Sequence, residues 1–239
     1  MELEKRKSFI DHLSEFRTSA IKIIIAFFIA TIVSVNFADR FLAFITRGAG
    51  KLVFISPQEA FMTTIQIALL LGIFLSLPYT LYQIWKFISE GLKENEKKYV
   101  HIGAPLSALL FISGALFGYC VVIPIMLNFF LGFATESLTP MITVSKYISF
   151  ITTWTFSFAL IFELPLVLVF LTKIRVISPE FLRKNRRYAI VIIFIVAGYL
   201  TPPDPFSQLL MAIPLIVLYE IAVISTKIMK KVKKVQTNI

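Results

Sequence analysis

One carboxylate interrupts a long apolar stretch at Ile161-Phe162-Glu163-Leu164-Pro165. A charged acid in hydrocarbon is costly, and such residues usually face a cavity or a partner. Pro165 carries no N–H, so the carbonyl of Ile161 loses its helical partner close to the acid, and a polar notch results. Two readings of Glu163 follow: a functional acid lining a groove, or a structural carboxyl that is protonated or bonded to a neighbouring helix. Two further sets sit in charged connections. In His12-Leu13-Ser14-Glu15-Phe16-Arg17, Glu15 and Arg17 are two apart and do not face each other on a helix. Read plainly, they are interfacial charges flanking a span. In Leu92-Lys93-Glu94-Asn95-Glu96-Lys97-Lys98, Asn95 reads as a helix cap, with Glu96 in the first turn beside the positive end of the dipole. The alternative is that Glu96 and Glu15 grip a cationic peptide, whose guanidinium groups pair bidentately with carboxylate. Asp204-Pro205 matches a cap followed by proline at the first helical position, while Gln208 stays open.

Catalysis is weakly represented. The chain has two histidines, His12 and His101, and one cysteine, Cys120. It has no HExxH, no GxSxG, no metal-ligand set and no Ser/His/Asp set, so neither an enzyme, a metal nor a cofactor is expected.

The elements that must position these residues are membrane spans. Hydrophobic residues make up 57% of 239 residues, and the mean hydropathy is +0.82; a soluble domain of this size has no place to bury so much apolar surface. The formal charge of +10 falls in short loops beside apolar segments, which argues for topology and against nucleic acid. The N-terminal stretch lacks the pattern of a cleavable signal peptide, so the first apolar segment is expected to remain as a helix.

The expected fold is all-α, a single transmembrane helical domain over residues 1–239 with six spans near 19–37, 60–88, 102–130, 147–171, 188–200 and 206–225. Basic residues crowd one side: Lys5 to Lys7, Arg17, Lys22, Lys86, Lys93, Lys97, Lys98, the 173–187 loop and the C-terminal lysines. The other side keeps only Arg40, Arg47, Lys51 and Lys146, so both termini are expected in the cytoplasm. Phe9, Leu13 and Phe16 recur at helical spacing and suggest a short amphipathic lead into the first span. Pro78 lies inside the second span, and Pro105 and Pro124 lie in the third. The fifth and sixth helices are expected to be short: Tyr188 to Leu200 gives about 20 Å of helix, against a core of roughly 30 Å. The hairpin turning at Thr201-Pro202-Pro203-Asp204-Pro205 therefore stops short of the outer surface or thins the bilayer around it, or else tilts with its turn buried under the external loops.

Several motifs, in order, resemble those of the TatC family, the core subunit of the twin-arginine protein translocase. They are His12-Leu-Ser-Glu15-Phe-Arg17, Leu81-Tyr-Gln-Ile-Trp-Lys-Phe87, Asn95-Glu-Lys-Lys98, Phe162-Glu-Leu-Pro165, Ser178-Pro-Glu-Phe-Leu-Arg-Lys184 and Leu200-Thr-Pro-Pro-Asp-Pro-Phe-Ser-Gln208. The departures are small: Phe16 stands where the family usually has leucine, and Lys97 and Lys98 where arginines are common. The resemblance implies a receptor in the cytoplasmic (inner) membrane that binds twin-arginine signal peptides of folded cargo and helps export them using the proton motive force. It implies that Glu15, Arg17, Phe87 and Glu96 form the docking site, that Glu163 lines an intramembrane groove, and that Asp204 and Gln208 are structural or partner contacts. The implied partners are TatA-like and TatB-like single-span proteins, the lipid bilayer and, in the receptor complex, further copies of the chain. Two rivals are a proton-coupled transporter centred on Glu163, disfavoured by the lack of internal repeats, and a lipid-phosphate enzyme, which would need a nucleophile or metal set.

Overall fold

The structure, a computed structural model, describes residues 9–47, 52–90, 94–135 and 139–237. Among these the chain forms nine α-helices: α1 (Phe9–Thr46), α2 (Pro57–Glu90), α3 (Glu94–Phe117), α4 (Ile123–Leu131), α5 (Val144–Ile161), α6 (Leu164–Lys173), α7 (Pro179–Lys184), α8 (Arg186–Leu200) and α9 (Pro205–Thr237). Five stretches are long and apolar enough to cross a membrane: Ser14–Thr46, Pro57–Ser89, Ile102–Leu131, Val144–Lys173 and Pro205–Met229. By internal packing the chain falls into two units, Met1–Ala108 with Thr135–Thr152, and Leu109–Ala134 with Thr153–Ile239.

In the first unit, α1 is one unbroken helix that absorbs both the expected amphipathic lead and the first part of the connection between the first two expected spans. No glycine or proline occurs between Phe9 and Thr46, and Asp39-Arg40 poses no obstacle to helix. α1 packs along α2 through Ala30, Ser34 and Ala38, one every fourth residue and all buried. Gly72 of α2 lies so close to Thr31 that a Cβ would strike its hydroxyl and backbone. α2 runs without interruption through Pro78.

The starts of α2 and α5 are fastened together. Val53 and Thr143 form an isolated parallel bridge: the Val53 N–H donates to the Ile142 carbonyl (3.1 Å), and the Val144 N–H to the Val53 carbonyl (2.9 Å). Below it, the Glu59 carboxylate accepts from the Ile55 N–H (2.8 Å) and from the Ser145 N–H (3.1 Å). Each donor sits at a helix start, where backbone N–H groups lack helical partners and the dipole favours an anion. The buried Tyr147 adds a hydrogen bond from its hydroxyl to the Ile45 carbonyl (3.3 Å).

In the second unit, α3 passes into α4 through a wider turn, Gly118–Val122, in which the Ile123 N–H reaches back to the Gly118 carbonyl. Pro124 follows and has no N–H to give, so the register slips by one residue where the proline would have left a gap. The rings of Phe117, Phe158 and Phe162 cluster here, with Phe117 5.4 Å from each of the other two. Gly114 admits this cluster, since a Cβ there would strike the Phe158 carbonyl and lie 2.8 Å from Phe162. α6 ends in a left-handed cap at Arg175 (φ 63°); the N–H groups of Arg175 and Val176 close onto the carbonyls of Thr172 (3.1 Å) and Leu171 (3.0 Å).

The final hairpin corrects one expectation. α8 is short, at about 22 Å. α9 is not: it continues to Thr237, and its stretch Pro205–Met229, about 37 Å of helix, is long and apolar enough to cross a membrane. After Pro214 no residue breaks it, and its lysines favour helix rather than ending it. Arg186, the first residue of α8, bonds Glu220 of α9 at 2.9 Å. Beyond that pair α9 carries the apolar Ile221-Ala-Val-Ile224, past the point where α8 has begun.

Candidate functional site

Glu15 and Arg17 lie near the start of α1, Glu15 half-buried and Arg17 exposed. Between them the Phe16 ring meets the ring of Phe87, near the end of α2, with centroids 5.5 Å apart and planes at 62°. This contact brings Glu15, Arg17 and Phe87 to one end of the α1–α2 pair. Glu96 lies in the first turn of α3, which already includes Glu94, so Asn95 sits inside the helix rather than before it; the side chains of Asn95, Glu96 and His12 fall outside the described residues. The backbone route is clear, however. Gly103 lies so close to the buried Trp85 of α2 that a Cβ would come within 2.6 Å of the ring, and this close packing holds the opening turns of α3 against the closing turns of α2.

Glu163 belongs to the second unit. It is half-buried and sits at the N-cap of α6, with Pro165 in the first turn and no side-chain capping bond. The Glu163 N–H bonds the Leu160 carbonyl (3.1 Å), and its own carbonyl accepts from Val167 (3.0 Å). The proline expected to notch the helix thus divides it, and the acid stands at the break.

At the second hairpin, the Asp204 carboxylate accepts from the Ser207 N–H (2.7 Å), as a cap should. Gln208 donates from Nε2 to the Phe194 carbonyl of α8 (3.0 Å), and Gly198 leaves room for it. Both residues close the α8–α9 turn. Tyr219 donates to the Leu182 carbonyl of α7 (2.7 Å), one residue from the Arg186–Glu220 pair.

Sequence reasoning passed over Glu59 and Glu220. Ser56-Pro57-Gln58-Glu59 before an apolar run carries the spacing of a capping box, which signals a helix start. Glu220 is a second acid inside an apolar run, as informative in principle as Glu163. A groove of about 390 Å³ lies beside Glu59, Thr143, Ser145 and Lys146, away from the Phe16–Phe87 contact. Among the described residues no cluster of histidine, cysteine or acid is suited to a metal. The arrangement offers charge and ring surface at the end of a helix pair, which suits recognition rather than bond-making.

Residues 11–214 match the family described as Sec-independent protein translocase protein (TatC). A Sec-independent protein translocase protein TatC of Carboxydothermus hydrogenoformans is 43% identical over 232 residues, covering 95% of this chain and 96% of that one. The protein of the same name from Aquifex aeolicus is 39% identical over 235 residues, covering 94% and 96%. A crystal structure of the twin arginine translocase receptor TatC superposes with a TM-score of 0.80 at 39% identity, covering 91% of this chain and 98% of that one.

Proposed function

The chain belongs to the TatC family of Sec-independent protein translocase proteins, a translocase component rather than an enzyme, and from that premise we propose that it is the receptor for twin-arginine signal peptides. Glu15, Arg17, Phe87 and Glu96 form the docking site on the cytoplasmic face, with Glu96 pairing directly with the arginines. The observation that carries this reading is the Phe16–Phe87 contact, which gathers charges and rings from two helices at one end. A planar guanidinium needs such a mixture of carboxylate and ring face. Glu163 lines the membrane groove entered by the apolar part of the signal peptide, or meets a partner helix. TatA-like and TatB-like single-span proteins complete the machine, which the proton motive force drives in the inner membrane.

In this reading six helices cross, α8 being the short fifth crossing, and both termini lie inside, a placement that the distribution of lysine and arginine supports. The test is binding of a twin-arginine signal peptide to the purified chain, beside a twin-lysine peptide and the Glu96→Ala protein. Binding that falls on both changes is expected. Binding that depends on the arginines but ignores Glu96 would move the contact to Glu15. Equal binding of both peptides would defeat the receptor reading.

A further inference from the structure

Phe16 is a large apolar side chain left 58% exposed between two charged residues, ahead of the apolar run of α1. Its edge-to-face contact with Phe87 holds the ring in one orientation while leaving most of its surface uncovered. The TatC motif that this segment resembles usually has leucine here, so the ring is a property of this chain. We propose that Phe16 is a specificity-determining residue of the docking site, stacking its ring on a guanidinium of the incoming signal peptide.

The inference rests on the docking reading and adds to it. Neighbouring side chains on a helix point about 100° apart, so the second of the paired guanidinium groups, laid across Glu15 and Phe16 while the first meets Glu96, presents its N–H edge to the Glu15 carboxylate and its flat face to the ring. Guanidinium is planar and weakly hydrated, and it accepts both contacts at once. An ammonium is a compact, strongly hydrated point charge and gains less from a ring. The pair therefore discriminates arginine from lysine, which a carboxylate alone does weakly. Packing against Phe87 lowers the entropy lost on binding, because the ring is held before the peptide arrives. Arg17 and the exposed Lys86 lie close by and oppose any cation, so the ring adds attraction where net charge alone is unfavourable.

The experiment measures the affinity of the full-length chain in detergent for a twin-arginine, a twin-lysine and a twin-citrulline peptide. It uses the native protein, Phe16→Leu and Phe16→Trp. Leucine is the usual residue of the family motif, so that variant should fold. Stacking on an exposed ring corresponds to about a two- to five-fold change in affinity. Phe16→Leu should weaken the twin-arginine peptide by that factor and the twin-lysine peptide less, and Phe16→Trp should match or exceed the native protein. Citrulline, flat but uncharged, should bind poorly to all three. If the native chain prefers arginine and Phe16→Leu keeps that preference undiminished, the ring serves another purpose, such as anchoring among lipid headgroups, and the inference is overturned while the receptor reading stands. If the native chain shows no preference for arginine, both fall together.

Discussion

Arg175 holds a left-handed backbone angle that glycine adopts without strain. The cap it forms is otherwise complete, with both closing hydrogen bonds made. Arg175→Gly should therefore stabilise the protein, by no more than about 1 kcal/mol once the greater freedom of glycine in the unfolded chain is counted; thermal unfolding in detergent would register it, and a loss of stability would contradict the reading. A second comparison uses Tyr219 and Glu220. Tyr219→Phe leaves a buried carbonyl without its donor, a loss of about 1–3 kcal/mol. Glu220→Gln breaks an ion pair whose side chains are 43% and 36% exposed, worth about 0.2–1 kcal/mol in water. The tyrosine variant should be the less stable of the two, and the reverse order would mean that the ion pair lies in a drier setting than its exposure implies. At this scale the sequence was legible wherever a residue broke a local rule. Glu163 stood out as an acid among apolar neighbours, with Pro165 to explain the break. Glu59 did not, because half of its purpose lies in the Ser145 N–H, and no local pattern records a contact at such separation.

Among the helices, the narrowest fits are made by glycines. At Gly114 an added methyl would meet the carbonyl of Phe158, a backbone atom that cannot step aside. At Gly118 the nearest atoms are 3.1–3.3 Å away, so small shifts suffice. Gly114→Ala should cost about 1–3 kcal/mol and Gly118→Ala less. Equal melting temperatures would show that α3 is not held against α5 as tightly as the geometry indicates. Asp204→Ala removes the cap of α9 and should cost about 0.5–2 kcal/mol. The existence and order of the long helices could be read from apolar runs, since hydropathy reports what must avoid water. Their ends could not. α1 and α9 both outrun their apolar segments, because nothing in the flanking residues stops a helix and hydropathy does not count polar turns. The proposed docking residues were named only through the motif order; the ring contact between Phe16 and Phe87, far apart in the chain, has no local pattern that announces it.

For the molecule as a whole, the mismatch inside the last hairpin makes a prediction about the bilayer. Arg186 opens α8 level with Glu220, while α9 carries the apolar Ile221-Ala-Val-Ile224 beyond it. In the proposed orientation, water and headgroups dip toward Arg186 on the cytoplasmic side while lipid still covers Ile224 of α9. With Cys120 replaced by alanine, Asn185→Cys should react with a membrane-impermeant thiol reagent from the cytoplasmic side. Ile224→Cys, further along α9 and exposed on its apolar face, should not. An unreactive Asn185→Cys would remove the case for a local depression. The sequence led to the right short helix here, because the charges before α8 and the prolines after it bound its length.

The Glu59–Ser145 hydrogen bond carries a lesson about manufacture. Its partners are separated by 86 positions, so the acid is made and threaded into the bilayer long before its second donor exists. The two meet only if α5 enters with its beginning on the same side as that of α2. A copy with α5 inverted would leave the acid on one surface and the amide on the other, with no path between them. The contact records the history of insertion: orientation, decided helix by helix as the chain emerges, is ratified once, late, by a carboxylate that has been waiting for it.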